Sequence, residues 1–263
     1  MRFGAEAKDG ATLFRLWAPN HKTVKLDLKG RRAPLEMEPS EDGWHWTRVE
    51  GISDGTRYRF ILPDGTSIAD PAARFQPDLA DGYSEVIDPT TFRWSDCPWR
   101  GLPWEHCVIY ELHVGTFTTA GTFRAAINRL DHLKDLGVTA VQLMPVAQWY
   151  GDFNWGYDGT FWFAPAASYG RPDDFRAFVD AAHSRSIMVF LDVVYNHFGQ
   201  IGNNLPLIAP VLSKRHKGPW GAALNFDDKG SEHMREFVID SATCWLTEFK
   251  SRWPAVRRNS CDV

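Results

Sequence analysis

The first third of the chain alternates apolar and polar residues with a period of two over several short segments. These segments are residues 13–17, 24–28, 44–49 and 58–62. Turn-forming pairs such as Pro19-Asn20 and Asp54-Gly55 separate them. Because such alternation predicts strands that bury one face, and because short strands joined by tight turns are typical of a sandwich, we predict an antiparallel β-sandwich over residues 1–95.

From Asp70 to Pro103 the pattern becomes irregular and five prolines interrupt it. A proline-rich stretch without periodicity is typical of a domain boundary, and we place a linker at residues 96–106.

Residues 107–250 show a different pattern, in which apolar runs of strand length alternate with stretches at helical spacing. The predicted strands are 108–114, 138–144 and 187–194, and the predicted helices are 122–136, 172–184 and 231–250. A long loop, 145–171, is predicted between the second strand and the second helix. Strands that alternate with helices indicate a parallel sheet, most often in a (β/α)8 barrel or a doubly wound sheet.

Polar residues follow each of the three predicted strands. His113 ends the first strand, Trp155-Gly156-Tyr157-Asp158 lies in the loop after the second, and Asp192-Val193-Val194-Tyr195-Asn196-His197 closes the third. The apolar run around Asp192 predicts a strand buried on both faces, where an unpaired carboxylate is costly. The plainer interpretation is that Asp192 caps a loop and His197 satisfies a core hydrogen bond. Since functional groups of both candidate folds gather where parallel strands end, three such strand ends favour a site.

Composition excludes several classes of function. The net charge is −4 with both signs interspersed, so neither nucleic acid nor a membrane is an expected partner. No strand is followed by a nucleotide-binding glycine motif, and the four cysteines lack metal-site spacing, so we expect free thiols. The N-terminus has no apolar signal segment, and a cytoplasmic protein is expected. Aromatic residues make up 14% of the chain, and aromatic planes can pack on sugar faces.

The segment from Asp192 to His197 resembles the D-V-V-x-N-H segment of the α-amylase superfamily of glycoside hydrolases. Trp155-Gly156-Tyr157-Asp158 resembles the G-Y-D loop of that superfamily, and the order of the motifs is most similar to its trehalohydrolase branch. The resemblance implies an immunoglobulin-like, carbohydrate-associated sandwich followed by about the first three strands of a (β/α)8 barrel. It also implies an enzyme that cleaves the α-1,4 bond next to the terminal trehalose of maltooligosyl trehalose.

The resemblance further implies the roles of individual residues in binding malto-oligosaccharide. His197 would hydrogen-bond the sugar at the cleavage subsite, Tyr157 would stack on its face, and Asp192 would orient neighbouring catalytic groups. Trp155 and Asp158 complete the substrate-binding set. No metal and no cofactor are implied.

Two positions depart from the pattern of the superfamily. Gln142 stands where an acidic residue is expected in the second strand, and Ser186 replaces a glycine at a position that favours positive φ.

Retaining glycosidases need a carboxylate nucleophile and a carboxylic acid, and the resemblance places both beyond residue 250. No residue of this chain is therefore given a catalytic role, and residues 1–263 alone are expected to be inactive. Two alternatives stay open. The chain could be a fragment of a branching or debranching enzyme for α-glucans, or a non-catalytic α-glucan-binding protein.

Residues 251–263 are predicted to be out-of-frame translation of the fourth strand. Codons for Arg252 to Arg258, read from the second base of the Arg252 codon, can spell Asp-Gly-Leu-Arg-Phe-Asp, the nucleophile motif of the superfamily. Trp253 has a single codon and still fits. Sequencing the DNA over codons 250–263 tests this expectation, and codons that cannot encode the motif in the shifted frame would refute it.

Overall fold

The computed structural model describes residues 1–78, 82–95, 99–218 and 221–250. The predicted tail, 251–263, and residues 96–98 of the predicted linker lie outside these ranges.

The segment before residue 86 forms nine short strands. In chain order they are β1 (Glu6–Lys8), β2 (Ala11–Trp17), β3 (Lys25–Leu28), β4 (Leu35–Glu36), β5 (Glu38–Pro39), β6 (Trp44–Glu50), β7 (Arg57–Ile61), β8 (Ser67–Ile68) and β9 (Ser84–Glu85). The four predicted strands correspond to β2, β3, β6 and β7.

These strands form two antiparallel sheets, ordered β1-β2-β6-β5 and β4-β3-β7-β8, and β9 also pairs with β7. Phe14 of the first sheet meets Tyr58 of the second edge to face, with ring centroids 4.9 Å apart. Both side chains are buried because alternate residues of each strand face the other sheet. The period-two pattern therefore produces the predicted sandwich of two sheets.

The remaining described residues form seven strands and six helices. The strands are β10 (Ile109–Leu112), β11 (Ala140–Leu143), β12 (Ala147–Gln148), β13 (Phe161–Pro165), β14 (Met188–Leu191), β15 (Leu212–Gly218) and β16 (Gly221–Leu224). The helices are α1 (Val114–Phe117), α2 (Phe123–Ile127), α3 (Leu130–Asp135), α4 (Pro172–Ser184), α5 (Leu205–Ile208) and α6 (Ser231–Thr247). Short 3-10 turns occupy Trp104–His106 and Ala167–Tyr169.

Strands β10, β11 and β14 form the predicted parallel sheet, with β11 in the centre. Their register places Leu112 beside Leu143 and Leu143 beside Leu191. All three strands therefore end at the same level, and the segments that follow them leave from one edge of the sheet.

The prediction of a single helix over 122–136 is wrong. Thr122 caps α2 by accepting a hydrogen bond from the Ala125 amide, but the helix stops at Ile127. The amides of Asn128 and Arg129 donate to carbonyls only three residues back, at 3.2 and 3.0 Å, which forms a tight turn before α3 begins. Leu136, the last residue of the predicted helix, is 64% exposed.

The prediction of an unstructured loop over 145–171 is also wrong. Strand β13 lies within it and pairs with β12, and all five of its residues are buried. The run Phe161-Trp162-Phe163-Ala164-Pro165 is apolar without alternation, as expected for a strand covered on both faces.

The third strand ends earlier than predicted. Ile187, Met188 and Val189 are buried, but β14 stops at Leu191, and Val193 is 43% exposed. Asp192 is half-buried, so the expectation of an interior carboxylate is wrong. The reason is that β14 pairs only with β11 within the described part of the chain, and its other edge is open.

Two details of the sequence are explained by local geometry. Ser186 has φ of 59°, so the predicted left-handed position between α4 and β14 is confirmed. Cys107 and Cys244, the two cysteines in the described ranges, are free thiols, as predicted. No helix in the described ranges has the length and apolar character that a membrane crossing requires.

One hydrophobic core runs through the sandwich and the parallel-sheet region. Phe3 contacts Phe237 of α6 with ring centroids 5.1 Å apart, and Trp17 of β2 lies 4.6 Å from the ring of His233. Helix α6 therefore packs directly against the sandwich.

A buried arginine joins the same two parts. The Arg74 side chain is 7% exposed and donates to the carbonyls of Phe3 and Ala72, at 3.0 and 2.9 Å, and to Glu248 just after α6, at 3.3 Å. Its guanidinium also lies 4.9 Å from the centre of the Phe163 ring. A buried guanidinium needs this many partners because an unpaired buried charge is strongly destabilising.

Arg74→Ala should lower the free energy of unfolding by about 3–5 kcal/mol, because it leaves the Glu248 carboxylate buried without its cation. Urea denaturation of residues 1–263 measures the change. The control is Arg48→Ala, which removes an exposed pair with Glu50 and should cost about 1 kcal/mol or less. Equal losses in the two variants would contradict the structural role of Arg74.

Candidate substrate-binding site

The ends of the three parallel strands carry the predicted polar residues. Asp192 follows β14, His113 follows β10 and caps α1, and Tyr157 lies on the long segment that follows β11. The common level at which the strands end brings these residues to one edge of the sheet.

Three predicted residues contact one another in a chain. The Tyr157 hydroxyl donates to Asp192 Oδ2 at 3.3 Å, and His197 Nε2 donates to the Tyr157 carbonyl at 3.0 Å. His197 Nδ1 lies 2.9 Å from the side-chain oxygen of Asn196. Asp192, Tyr157 and His197 therefore form one hydrogen-bonded group, which we call the strand-end triad.

The residue Tyr157 remains 45% exposed although its hydroxyl and its carbonyl are both held by hydrogen bonds. Partial desolvation, followed by the negative charge of Asp192, raises the pKa of Tyr157 above its usual value. The phenol therefore stays protonated at neutral pH and acts as a hydrogen-bond donor to Asp192. An aromatic face held in this way is available to pack against a ligand.

Trp155 and Asp158 lie on the same loop but make different contacts. The Trp155 ring packs on His113 with centroids 5.0 Å apart and is 62% exposed. Asp158 accepts from the side-chain amide of Asn154 at 3.3 Å. Neither side chain has a direct contact with the triad among the described interactions, and their roles in binding stay predictions.

His113 fixes the loop that carries these residues. Its Nε2 atom lies 2.8 Å from the Asn154 carbonyl and 2.8 Å from the Tyr169 hydroxyl. Asn154 Oδ1 also accepts from the Gly156 amide at 2.7 Å, which closes the turn. The sequence pattern predicted no role for Asn154 or Tyr169. The Asn-x-Gly spacing is a turn signal that could have identified Asn154, whereas the contact of Tyr169 is purely tertiary.

The loops after β11 and β14 meet with almost no space between them. A Cβ atom on Gly199 would lie 2.1 Å from the Asp158 carbonyl oxygen, and one on Gly156 would lie against the Pro145 carbonyl. The Gly199 amide donates to the Gly159 carbonyl at 3.0 Å. Both positions therefore require glycine. The close approach of the loop at Gly199 to the loop at Asp158 sets the position of His197 relative to Tyr157.

Aromatic packing against β13 holds the loop that carries His197. Phe198 stacks on Trp162 of β13 with ring centroids 3.8 Å apart and an interplanar angle of 19°. Tyr195 also packs on Trp162, and its hydroxyl lies 3.0 Å from Ser241 of α6. Burial raises the pKa of Tyr195 to about 12. The apolar residues between Asp192 and Gly199 thus anchor the loop.

Gln142 stands where an acidic residue was expected. Its side-chain amide donates to Glu111 Oε1 at 2.9 Å. A carboxylate at this position would face the Glu111 carboxylate, so the amide replaces a repulsive contact with a hydrogen bond. Among the described residues, no group of three or more His, Cys, Asp or Glu side chains could hold a metal ion.

The model of the alpha-amylase catalytic domain matches residues 73–204 of this chain, which is half of its length. The chain belongs to the alpha-amylase family. The resemblance stated from the sequence motifs is therefore confirmed, and the strand-end triad lies within the matched residues.

Two curated relatives of this chain have the same enzyme name. The malto-oligosyltrehalose trehalohydrolase of Saccharolobus solfataricus is 43% identical over 249 residues, which cover 95% of this chain and 44% of that enzyme. The enzyme of the same name from Deinococcus radiodurans is 45% identical, over 94% of this chain and 41% of its own. The chain thus spans less than half the length of these relatives.

A solved alpha-amylase-family structure has the same fold. The crystal structure of a putative alpha amylase from Salmonella typhimurium superposes with a TM-score of 0.90 at 45% identity, over 94% of this chain and 42% of that one.

A third curated relative, a 1,4-alpha-glucan branching enzyme of Streptomyces avermitilis, is more distant in sequence. It is 32% identical over 90% of this chain and 43% of its own length.

Gly199→Ala should destabilise the protein by about 1–3 kcal/mol, because the two site loops must separate to admit a methyl group against a backbone oxygen. Chemical denaturation of residues 1–263 measures the loss. Gly218→Ala is the matched control, since the nearest atom of a described residue to its added Cβ is 4.0 Å away. If Gly199→Ala matches Gly218→Ala in stability, the close contact between Gly199 and Asp158 is wrong.

Proposed function

We propose that the protein containing this chain is a glycoside hydrolase that cleaves the α-1,4 bond next to the terminal trehalose unit of maltooligosyl trehalose. The observation that carries the proposal is the strand-end triad. The triad lies in a chain that is 43 to 45% identical to two enzymes named malto-oligosyltrehalose trehalohydrolase. Residues 1–250 would supply one wall of the substrate site and no acid or nucleophile.

Tyr157 is proposed to be the stacking surface for the sugar at the cleavage subsite. Its hydroxyl is held by Asp192 and its carbonyl by His197, so the ring is oriented before substrate arrives. Preorganisation of this kind reduces the entropy lost on binding. Trp155, which is exposed on the same loop, would add a second apolar face, and Asp158 would hold the loop through Asn154.

His197 is proposed to hydrogen-bond a sugar hydroxyl. Its Nε2 hydrogen already holds the Tyr157 carbonyl, so a sugar at that atom would share the hydrogen with the carbonyl. Such sharing would couple sugar binding to the position of Tyr157. Asp192, 3.3 Å from the Tyr157 hydroxyl, would then orient both groups.

The finer architectural predictions belong to the same proposal. We propose that residues 1–95 are an immunoglobulin-like sandwich, 96–106 a linker, and 107–250 about the first three strands of an eight-stranded barrel. The common level at which β10, β11 and β14 end supports the barrel assignment. A cytoplasmic location stays a prediction.

The second candidate is an enzyme that branches α-glucans, which the 32% identity to the Streptomyces avermitilis enzyme supports more weakly. A non-catalytic glucan-binding protein is the third. The product formed from maltooligosyl trehalose distinguishes the three, because free trehalose is expected only from the first.

A chimera tests the proposal. Residues 1–250 of this chain, joined to the C-terminal part of the Deinococcus radiodurans relative, should release trehalose from maltooligosyl trehalose in preference to glucose units from a malto-oligosaccharide of equal length. His197→Ala in the chimera should lower kcat/KM roughly 100-fold, because hydrogen bonds to the sugar strengthen in the transition state.

The control is Arg48→Ala in the same chimera, which should retain full activity. A folded chimera, with cooperative thermal unfolding, that converts the substrate without releasing trehalose would refute the proposal. If the chimera does not fold, maltooligosyl trehalose binding by residues 1–263 is compared with binding by their Tyr157→Ala variant. Equal affinity of the two would then contradict the assignment of the site.

A further inference from the structure

A second cavity lies away from the strand-end triad. It has a volume of ≈ 650 Å³, and it opens between the sandwich segment Gln76–Asp78 and the segment Gln148–Asp152, which follows β11. Ser168 of the short turn before α4 also lines it, and the other described lining residues are Gly82, Phe161, Ala167 and Ile201. No member of the triad lines this cavity. Its volume falls in the range of about 300–1,000 Å³ typical of small-ligand sites.

Buried amide side chains fix the walls of this cavity. Gln148 is 8% exposed, and its Oε1 atom accepts from the Ala167 amide at 2.6 Å. Gln76 is 1% exposed, accepts from the Ser84 hydroxyl at 2.7 Å and donates to the Asp78 carbonyl at 3.2 Å. These bonds fix the backbone within each of the two walls of the cavity.

Three side chains on the lining remain available to a ligand. Tyr150 is 46% exposed, and Asp152 and Ser168 are exposed. Their side chains make no hydrogen bond or ion pair with other described residues. The cavity thus offers an aromatic face beside a carboxylate and a hydroxyl, which together accept and donate hydrogen bonds.

The charge of the lining selects the ligand class. No lysine, arginine or histidine is among the described lining residues, so these residues offer no counter-charge to phosphate or another anion. Of the two carboxylates in this described lining, that of Asp78 is already paired with Arg57 at 3.1 Å, and that of Asp152 is unpaired. A purely apolar ligand would desolvate that carboxylate without replacing its hydrogen bonds. A sugar ring carries no negative charge and can replace the hydrogen bonds that the carboxylate loses, because its C–H face packs on Tyr150 and its hydroxyls donate to Asp152.

We propose that this cavity is a second saccharide site, which binds an α-glucan segment separately from the strand-end triad. The choice of an α-glucan as the saccharide rests on the proposed function, whereas the preference for a sugar follows from the cavity itself. The two sites are connected. Trp149 packs on Tyr169 at 5.2 Å, and the Tyr169 hydroxyl contacts His113, which holds the loop bearing Trp155 and Tyr157.

Titration calorimetry of residues 1–263 with maltohexaose tests the proposal. Tyr150→Ala should weaken binding at one site about tenfold, as expected for loss of one stacked aromatic face, while Tyr150→Phe should stay within about twofold of the parent. Asp152→Asn should weaken the same site about threefold through the lost charged acceptor. Trp104→Ala removes a ring that is 62% exposed and outside both sites, and it should change nothing.

Hydrogen exchange locates the bound sugar. At a maltohexaose concentration near the dissociation constant of the parent, peptides that contain residues 148–152 should be protected in the parent and in Tyr157→Ala, and much less in Tyr150→Ala. Equal protection of the parent and Tyr150→Ala at that concentration, or unchanged affinity in that variant with native circular dichroism, would overturn the proposal. So would binding of spermidine, lost in Asp152→Asn, without binding of maltohexaose, because the cavity would then select cations.

The outcomes separate this inference from the proposed function. If the chimera releases no trehalose but Tyr150-dependent maltohexaose binding persists, the second site stands and the proposed activity fails. If trehalose is released and Tyr150→Ala binds maltohexaose like the parent, the activity stands and the second site is refuted.

Discussion

The burial of the Arg74 guanidinium is the constraint on which the arrangement of this chain depends. A buried cation must have partners, and these come from Phe3 near the N-terminus, from Ala72 in the preceding turn and from Glu248 just after α6. Three segments distant in sequence must therefore meet at one place. This meeting holds α6 between the sandwich and β13.

The position of α6 reaches the candidate site through aromatic contacts. Ser241 and Trp245 of α6 both donate to the Trp162 carbonyl at 2.9 Å, and the ring of Trp162 stacks on Phe198, the residue after His197. The orientation of a predicted sugar-binding histidine thus depends on packing that begins at the contact between α6 and the sandwich. Because the core is continuous, mutations in the sandwich should shift the side chains at the ends of the parallel strands.

Some charged residues of this chain have structural roles. Asp70 and Arg74 are both buried. Asp70 is 1% exposed, and desolvation raises its pKa although the Tyr58 hydroxyl donates to it at 2.7 Å. The segment from Asp192 to Phe198 contains both structural residues and exposed polar ones, since Tyr195 and Phe198 pack on Trp162 and anchor the loop that carries Asn196 and His197.

The amino-acid sequence by itself predicted four of the nine strands of the sandwich and the parallel sheet, because periodicity is local. The family resemblance added the positive φ at Ser186, where backbone sterics favour glycine. The sequence pattern also placed Asp192, Tyr157 and His197 after predicted strands, because parallel strands place their C-terminal ends at one edge. Tertiary structure alone decided the break at Asn128, the burial of Phe161–Pro165 and the contact between Tyr169 and His113. It also decided that Asp192 is half-buried, because exposure depends on which strands flank β14. Such features depend on segments brought together over long sequence separations, and no local pattern carries that information.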